Sequence, residues 1–171
     1  VRYCGSQEAV KMDLSFNIGT SCFNLRACAV IVHGEALLVM RDQKQPYAYL
    51  PGDRIKLNET AQQALIRELQ EEIGIQAQIE RPLWVTQAFF TEPASQQKFH
   101  EIGFYFLVSW KENETLPTIN NFIRWENEIE HRFEWVSFDE LSNIDVQPEF
   151  IKNRIRSLPE QLELLLDFNQ G

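Results

Sequence analysis

Three glutamates recur at helical spacing near the middle of the chain, at Glu68, Glu71 and Glu72. At about 100° per residue they fall on one arc of a helix. Like charges at this spacing destabilise an exposed helix by roughly a few tenths of a kcal/mol per pair. A hard divalent cation that prefers oxygen ligands is the natural counter-charge, so the spacing predicts a Mg2+ or Mn2+ site. A solvated acidic face is the alternative interpretation.

The segment that carries these acids is predicted to be an amphipathic helix from about Ala61 to Ile73. The apolar arc that would face a core consists of Leu65, Ile66, Leu69 and Ile73. Thr60 and Gln63 have the form of an N-terminal capping box, and Gly74 suits the position just past the helix end. The turn-rich loop of residues 51–59 leads directly into this helix.

The order of residues around the helix is more specific than the acidic spacing alone. Starting at Glu59, the chain reads glutamate, seven residues and then Arg-Glu-Leu-Gln-Glu-Glu-Ile-Gly-Ile, residues 67–75. This segment resembles the Nudix box of the Nudix hydrolases, a MutT-like family, whose pattern is G-x5-E-x7-R-E-U-x-E-E-x-G-U with U aliphatic. Eight of its nine specified positions match: Glu59, Arg67, Glu68, Leu69, Glu71, Glu72, Gly74 and Ile75. The resemblance does not assign a subfamily.

Two positions depart from the glycines that the family carries. The leading glycine of the box falls on Asp53, and the glycine that many members have just before Glu59 is Asn58 here. Asparagine tolerates the left-handed backbone conformation better than most residues, so Asn58 is a mild change. Asp53 is expected either to strain the turn or to add a carboxylate beside the metal site, with an effect on rate and metal affinity.

The resemblance implies an enzyme that cleaves the pyrophosphate bond of a nucleoside diphosphate linked to another group. A nucleoside triphosphate, a nucleotide sugar and a dinucleotide all remain open as substrates. Water attacks phosphorus in this family, with metal ions that spread the developing charge. By resemblance, Glu72 and Glu68 are the first choices as metal ligands and Glu71 is the next. The backbone carbonyl of Gly52 would complete the coordination.

Arg67 is expected to orient a carboxylate, with Glu59 as its partner, although a structural salt bridge is an equal alternative. The general base varies in the family. Glu134 matches an out-of-box glutamate of some members, and Glu101 on the preceding strand is a second candidate. Further candidates lie in an acidic loop, at Glu126, Glu128 and Glu130. For each of these acids a solvated surface position is the alternative.

The flanking segments predict a mixed sheet between helices, in agreement with the α/β/α sandwich that the resemblance implies. Predicted strands cover residues 26–33, 36–40, 76–92, 98–110 and 133–138. Residues 111–129 are predicted to be a long loop, followed by a short helix at Asp139, a helical stretch over 148–158 and a terminal helix ending near Phe168. Residues 1–22 are predicted to be an N-terminal extension, with 1–11 either foreign or native, and 23–171 a single domain.

Composition and charge exclude several classes of protein. The 171 residues suit one domain, and 44% hydrophobic residues with 12 Phe and 4 Trp argue against disorder. The formal charge of −9 argues against electrostatic binding of nucleic acid or an anionic membrane. A phosphorylated small molecule can still bind if metal ions bridge it to carboxylates.

Location, redox state and assembly follow from weaker signals. No apolar run approaches the roughly 20 residues that span a bilayer, and no leader opens the chain, so we predict a cytoplasmic protein. Cys4, Cys22 and Cys28 have neither a CxxC spacing nor an even count, which argues against disulfides and a zinc site. The sequence leaves open whether the protein forms a homodimer.

The alternative function is a Nudix-fold nucleotide-binding or regulatory protein without turnover. The reason to consider it is that Asp53 and Asn58 stand where the family carries glycines. The intact set of box acids favours an enzyme instead. A Nudix-like isomerase or an RNA decapping enzyme is a further alternative, and the lack of a basic stripe disfavours decapping.

Overall fold

The computed structural model describes residues 12–43, 45–92, 95–110, 116, 121–126 and 128–169. Its strands, in chain order, are β1 Ser15–Ile18, β2 Ser21–His33, β3 Ala36–Arg41, β4 Ala48–Tyr49, β5 Ala77–Thr91, β6 Lys98–Trp110, β7 Phe122–Glu126, β8 Ile129–Ser137, β9 Val146–Gln147 and β10 Glu163–Asn169. Its helices are α1 Ala61–Glu72, a 3-10 helix Glu140–Asn143 and α2 Ile151–Arg154. Within the described residues, no helix is long and apolar enough to span a membrane.

The strands form a mixed sheet that is joined through the long strand β2. Across the described residues the main order is β10-β5-β6-β2-β3-β4-β9, with β1 beside β2, β8 beside β3 and β7 beside β8. Most of β2 runs parallel to β6, whereas its last two residues pair antiparallel with β3. β5 is antiparallel to β6, and β10 is parallel to β5. β2 therefore connects two groups of strands.

Two hydrophobic clusters cover opposite faces of β2, because successive side chains of a strand alternate between faces. Ala27 lies in the cluster that contains Leu65 of α1. Cys28 lies in the other cluster, with the fully buried Trp84 and with Ile151 of α2. The predicted mixed sheet between helices is confirmed, although the helical content is low.

The predicted helix is present as α1 and has the predicted ends. The Thr60 side chain accepts a hydrogen bond from the Gln63 backbone N–H at 3.2 Å, and the Gln63 side chain accepts from the Thr60 N–H at 2.9 Å. At the other end, Gly74 has a φ of +80° and donates its N–H to the Leu69 carbonyl at 3.1 Å. Local residue types therefore determine where this helix begins and ends.

The predicted terminal helix is wrong. Residues 163–169 form β10, which adds a parallel strand to the edge of β5 over the register Glu163↔Trp84 to Asn169↔Phe90. A proline such as Pro159 is compatible with the first turn of a helix, but the apolar residues Leu164, Leu166 and Phe168 recur with a period of two. Pairing with the backbone at the edge of β5 favours a strand over a helix in this segment. The helical stretch predicted over 148–158 is also shorter, since α2 covers only Ile151–Arg154.

The loop predicted over residues 111–129 contains a strand. β7 pairs antiparallel with β8, and the Phe122 ring stacks on Phe133 with a centroid distance of 5.0 Å. Glu128 turns the chain between the two strands with a φ of +68°. Residues 111–115, 117–120 and 127 lie outside the described residues. Within the predicted N-terminal extension, residues 15–18 form β1, which pairs with β2.

The thiols that the structure describes are unpaired. Cys22 and Cys28 are buried free cysteines, and Cys4 lies outside the described residues. Burial raises the pKa of the Cys28 thiol to about 12, so it stays protonated at neutral pH. These two cysteines act as small core residues.

Asn58 takes the backbone conformation that its place in the loop predicts, with a φ of +65°. We expect Asn58→Ala to lower the free energy of unfolding by about 1 kcal/mol, because alanine lacks the tolerance of asparagine for the left-handed region. Asn58→Gly should keep or raise the free energy of unfolding, because glycine adopts a positive φ without strain. Urea denaturation of the three proteins measures the difference, and equal midpoints for Asn58→Ala and the unchanged chain would contradict the prediction.

Candidate active site

The loop before α1 lies along β2 as an additional line of backbone pairing. The Ala29 N–H donates to the Pro51 carbonyl at 2.8 Å, and the Ala27 N–H donates to the Asp53 carbonyl at 3.0 Å. Between them, Gly52 has a φ of +119°, and a Cβ added there would lie 2.2 Å from the Ala27 carbonyl oxygen. Only glycine fits this close approach of two backbone segments.

Gly52 links the loop to α1 and to β2. Its N–H donates to Glu72 Oε2 at 3.1 Å, and its carbonyl oxygen accepts a hydrogen bond from Arg26 Nη2 at 3.1 Å. Glu72 is only 6% exposed. The predicted metal-ligating carbonyl of Gly52 therefore lies beside Glu72, and Arg26 holds one side of it.

Arg67 is the centre of the acidic group. Its Nε and Nη2 donate to the two carboxylate oxygens of Glu59 at 2.7 and 2.8 Å, which is the pairing predicted from the sequence. This bidentate pair holds the pKa of Glu59 below its usual range. Arg67 Nη1 also donates to Glu68, and to Glu71 Oε2 at 3.3 Å. Three carboxylates thus share one guanidinium.

Glu68 and Glu71 lie in different environments. Glu68 is 6% exposed, and its burial raises the pKa of its carboxyl to about 7, against the opposing effect of Arg67. The nearby charges of Asp53 and Glu71 act in the same direction as burial. Glu71 itself is exposed to solvent. Glu68 and Glu72 are therefore the two box acids that are shielded from water.

The described residues contain no group of three histidine, cysteine, aspartate or glutamate side chains placed to hold a metal ion. The local contacts account for this finding, because Glu68 is turned to Arg67 and Glu72 to the Gly52 N–H. The donor set is nevertheless composed of hard oxygens, and Glu68 and Glu72 are both buried on the same helix. These residues fit a divalent cation chemically.

Arg26 links Glu101 to the Gly52 loop. The sequence indicates Glu101 as a candidate base but assigns no role to Arg26. The Arg26 Nη1 lies 4.0 Å from Glu101 Oε2, and Asn24 Nδ2 donates to the same oxygen at 3.4 Å. Glu101 is 8% exposed. The signal in the sequence is a basic residue at the start of the apolar segment that predicted a strand over residues 26–33, and its importance depends on the contact with Gly52.

The other candidate bases lie on or near β8. Glu134 pairs with Arg41 Nε at 3.4 Å and lies opposite Val39 in the sheet. Glu130 accepts from Arg132 Nη2 at 3.3 Å, and Glu128 is exposed in the β7–β8 turn. The side chain of Glu126 lies outside the described ones. These contacts leave the catalytic roles of the four acids as predictions.

Asp53 does not strain the turn. It is exposed, and its φ is not positive, in contrast to that of Gly52 before it. Its charge acts on Glu68, where it raises the carboxyl pKa. Of the two effects expected from the sequence, the added carboxylate near the box acids is the one that the structure contains.

Comparison with known proteins places this geometry in a family. The NUDIX domain model matches residues 23–159. A putative nudix hydrolase family member from Chromobacterium violaceum is 25% identical, with a TM-score of 0.53 over 78% of this chain and 77% of that one. The mutator MutT protein from Bacillus halodurans is 14% identical, with a TM-score of 0.57 over 82% and 86%. An ADP-ribose pyrophosphatase from Streptococcus suis is 15% identical, with a TM-score of 0.54 over 84% and 98%. A comparison with curated protein sequences found no significant match.

The mixed sheet, the acidic helix α1 and the Gly52 loop together have the form of a Nudix-type protein. The family model covers most of the chain, including the whole of this site. The chain belongs to the NUDIX family and is a Nudix hydrolase. The resemblance seen in the sequence is confirmed at the level of the family, without a subfamily.

Proposed function

We propose that this Nudix hydrolase depends on Mg2+ or Mn2+ and cleaves the pyrophosphate bond of a nucleoside diphosphate linked to another group. The meeting of the buried carboxylates Glu68 and Glu72 with the Gly52 loop is the observation that carries the proposal. Carboxylate and carbonyl oxygens are the ligands that these cations prefer. When bound, such an ion supplies Lewis-acid stabilisation of the charge that develops as water attacks phosphorus.

Glu68 and Glu72 hold the ion in this proposal, with Glu71 and the Gly52 carbonyl as further donors. Arg67 contacts Glu68 and Glu71 through Nη1 and Glu59 through Nε and Nη2. Among the Arg67 nitrogens, ion binding therefore competes with Nη1 and leaves Nε and Nη2 on Glu59. The bidentate bond to Glu59 keeps the guanidinium in place while the other carboxylates turn away from it, and this is the positioning role we assign to Arg67 and Glu59.

Glu101 and Glu134 are the first candidates for the group that accepts the proton of the attacking water, and Glu126, Glu128 and Glu130 stay open. Glu101 is favoured because Arg26 contacts both Glu101 and the Gly52 carbonyl. Arg26 Nε is buried and has no hydrogen-bond partner among the described residues.

The substrate class that suits this protein is a small phosphorylated nucleotide derivative and not a nucleic acid. A chain with a formal charge of −9 repels an extended polyanion, whereas metal ions at the carboxylates attract a short one. Nucleoside triphosphates, nucleotide sugars and dinucleotides all meet this condition. A similar structure is an ADP-ribose pyrophosphatase, which makes ADP-ribose one of the first compounds to test. The cytoplasmic location stays a prediction.

The test is release of phosphate, pyrophosphate and nucleoside monophosphate from a panel of these compounds. The panel includes ADP-ribose, NADH, nucleotide sugars, dinucleoside polyphosphates and nucleoside triphosphates, each with Mg2+ or Mn2+ and with a chelator. Turnover of one class that the chelator and Glu72→Gln both remove would support the proposal. Metal and nucleotide binding without turnover of any compound would instead favour a binding or regulatory protein.

Asp53 is expected to strengthen metal binding through its charge. Asp53→Asn keeps the shape of the side chain and removes the charge, so we expect a roughly two- to five-fold weaker affinity for Mn2+, the effect of one exposed carboxylate near the site. Asp53→Gly should match Asp53→Asn, because the backbone at this position is unstrained. Calorimetric titration with Mn2+ measures the affinity of both variants and of the unchanged protein. An affinity equal to that of the unchanged protein would show that Asp53 is a neutral surface residue.

A further inference from the structure

A continuous row of rings crosses five strands on one face of the sheet. Phe16, Phe23, His100, Phe89 and Phe168 lie on β1, β2, β6, β5 and β10, each directly opposite the next in the strand register. The ring centroids are 5.1, 5.6, 4.4 and 5.3 Å apart along the row. Such cross-strand contacts stabilise a sheet, but here both ends of the row are open to solvent.

The next row on the same face is apolar except for one glutamine. Leu25, Ile102, Gln87 and Leu166 are opposite one another on β2, β6, β5 and β10. Leu164 lies two residues before Leu166 on β10 and therefore on the same face. We call the two rows with Leu164 the aromatic face. His100 and Gln87 are its polar members, and they hydrogen-bond to each other at 3.0 Å.

The structure covers one side of β10 and leaves the other side open. Leu165 packs against the hydrophobic cluster under α2, whereas Leu164, Leu166 and Phe168 are 72%, 64% and 61% exposed. Phe16, at the opposite end of the row, is 53% exposed. α1 packs on the same side of the sheet but farther along β2. Large apolar side chains in a contiguous patch on an edge of a sheet favour association with another surface.

We propose that the aromatic face is the interface of a homodimer, in which a second copy of this chain packs the same face against it. Five strands at a spacing of about 4.8 Å and the length of β10 at about 3.3 Å per residue give a face of roughly 550 Å2 per copy. Two copies bury roughly 1,100 Å2, which clears the roughly 1,000 Å2 expected of a biological interface and lies just below the usual range of stable ones. The two sheets pack face to face, as the layers of a β-sandwich do.

Charge favours a second copy as the occupant. The chain has a formal charge of −9, so most of its surface repels an identical molecule. The aromatic face contains none of the aspartates and glutamates that produce this charge. A two-fold interface also requires a patch that is complementary to itself, and a row of rings without a carboxylate meets that requirement. The proposal concerns assembly and does not depend on the substrate of the enzyme.

The test is the mass of the full-length protein in solution, measured by sedimentation across a dilution series. The unchanged chain is expected at twice 20.1 kDa. Leu166→Glu places one charge per copy within the buried face of the dimer and is expected to give the monomer. Because Leu166 is exposed in the single chain, circular dichroism and turnover per chain should stay unchanged.

A matched control and a charge exchange make the test specific. Trp125→Glu changes a side chain that is 67% exposed on β7, away from the aromatic face, and should leave the dimer intact. Leu166→Lys alone should also be monomeric, and mixing it with Leu166→Glu should restore a dimer that contains one copy of each. A monomeric unchanged chain, a Leu166→Glu dimer, or a mixture that stays monomeric would each overturn the proposal.

Discussion

Glu72→Gln is expected to abolish metal-dependent turnover and leave the fold intact. Glutamine keeps an oxygen that can accept the Gly52 N–H at the position of Glu72 Oε2, so the loop stays in place. The charge that attracts a divalent cation is lost, and we expect turnover to fall by at least roughly 100-fold. Steady-state kinetics on the substrate found in the panel measures this fall.

Thermal denaturation with and without Mn2+ separates metal binding from chemistry. A ligand that binds only the native state raises the melting temperature. We expect Mn2+ to stabilise the unchanged protein and a control variant, Glu160→Gln, which removes an exposed glutamate outside the box. Glu72→Gln should lose this stabilisation while its melting temperature without metal stays the same. Full activity in Glu72→Gln would remove Glu72 from the ligand set.

Gly52→Ala is expected to be the most destabilising substitution in the site. The added Cβ would lie 2.2 Å from the Ala27 carbonyl oxygen and 3.0 Å from the Cys28 Cα, and both are backbone atoms of the central strand β2. The φ of +119° adds strain that alanine cannot relieve. We expect the free energy of unfolding to fall by about 3 kcal/mol or more. Turnover should fall together with stability, because the added methyl group forces the Gly52 loop away from β2 and from Glu72.

Gly34→Ala is the matched control for this effect. Gly34 also has a positive φ, +58°, but an added Cβ meets no atom within 4 Å. Its substitution should therefore cost only the backbone strain, about 1 kcal/mol. Urea denaturation of both variants isolates the steric contribution at Gly52. Equal losses of stability in the two variants would show that the loop moves away from β2 without difficulty.

Much of α1 and its acids could be predicted because the relevant interactions are local. Thr60 caps the helix three residues from Gln63, and Gly74 ends it, so neighbouring residues alone define both boundaries. The pairing of Arg67 with Glu59 spans eight residues and was also expected. The family follows from the same local pattern, since the spacing of the box acids is a property of one helix and its loop.

The parts that were missed depend on distant segments. A terminal helix and a strand are both compatible with residues 163–169, and pairing with the edge of β5 decides for β10. Arg26 acquires its role only because the Gly52 loop lies along β2, where a guanidinium can reach the Gly52 carbonyl. The row of rings likewise exists only after five strands have aligned in register.

The sequence by itself determined the acidic helix, its caps, the family and the chemistry expected of it, because helix periodicity and capping act within a few residues. Only the tertiary structure decided which acids are buried, which arginine meets the loop and which face of the sheet stays open. Burial and strand register depend on contacts between segments far apart in the chain, and no local pattern of residues specifies them.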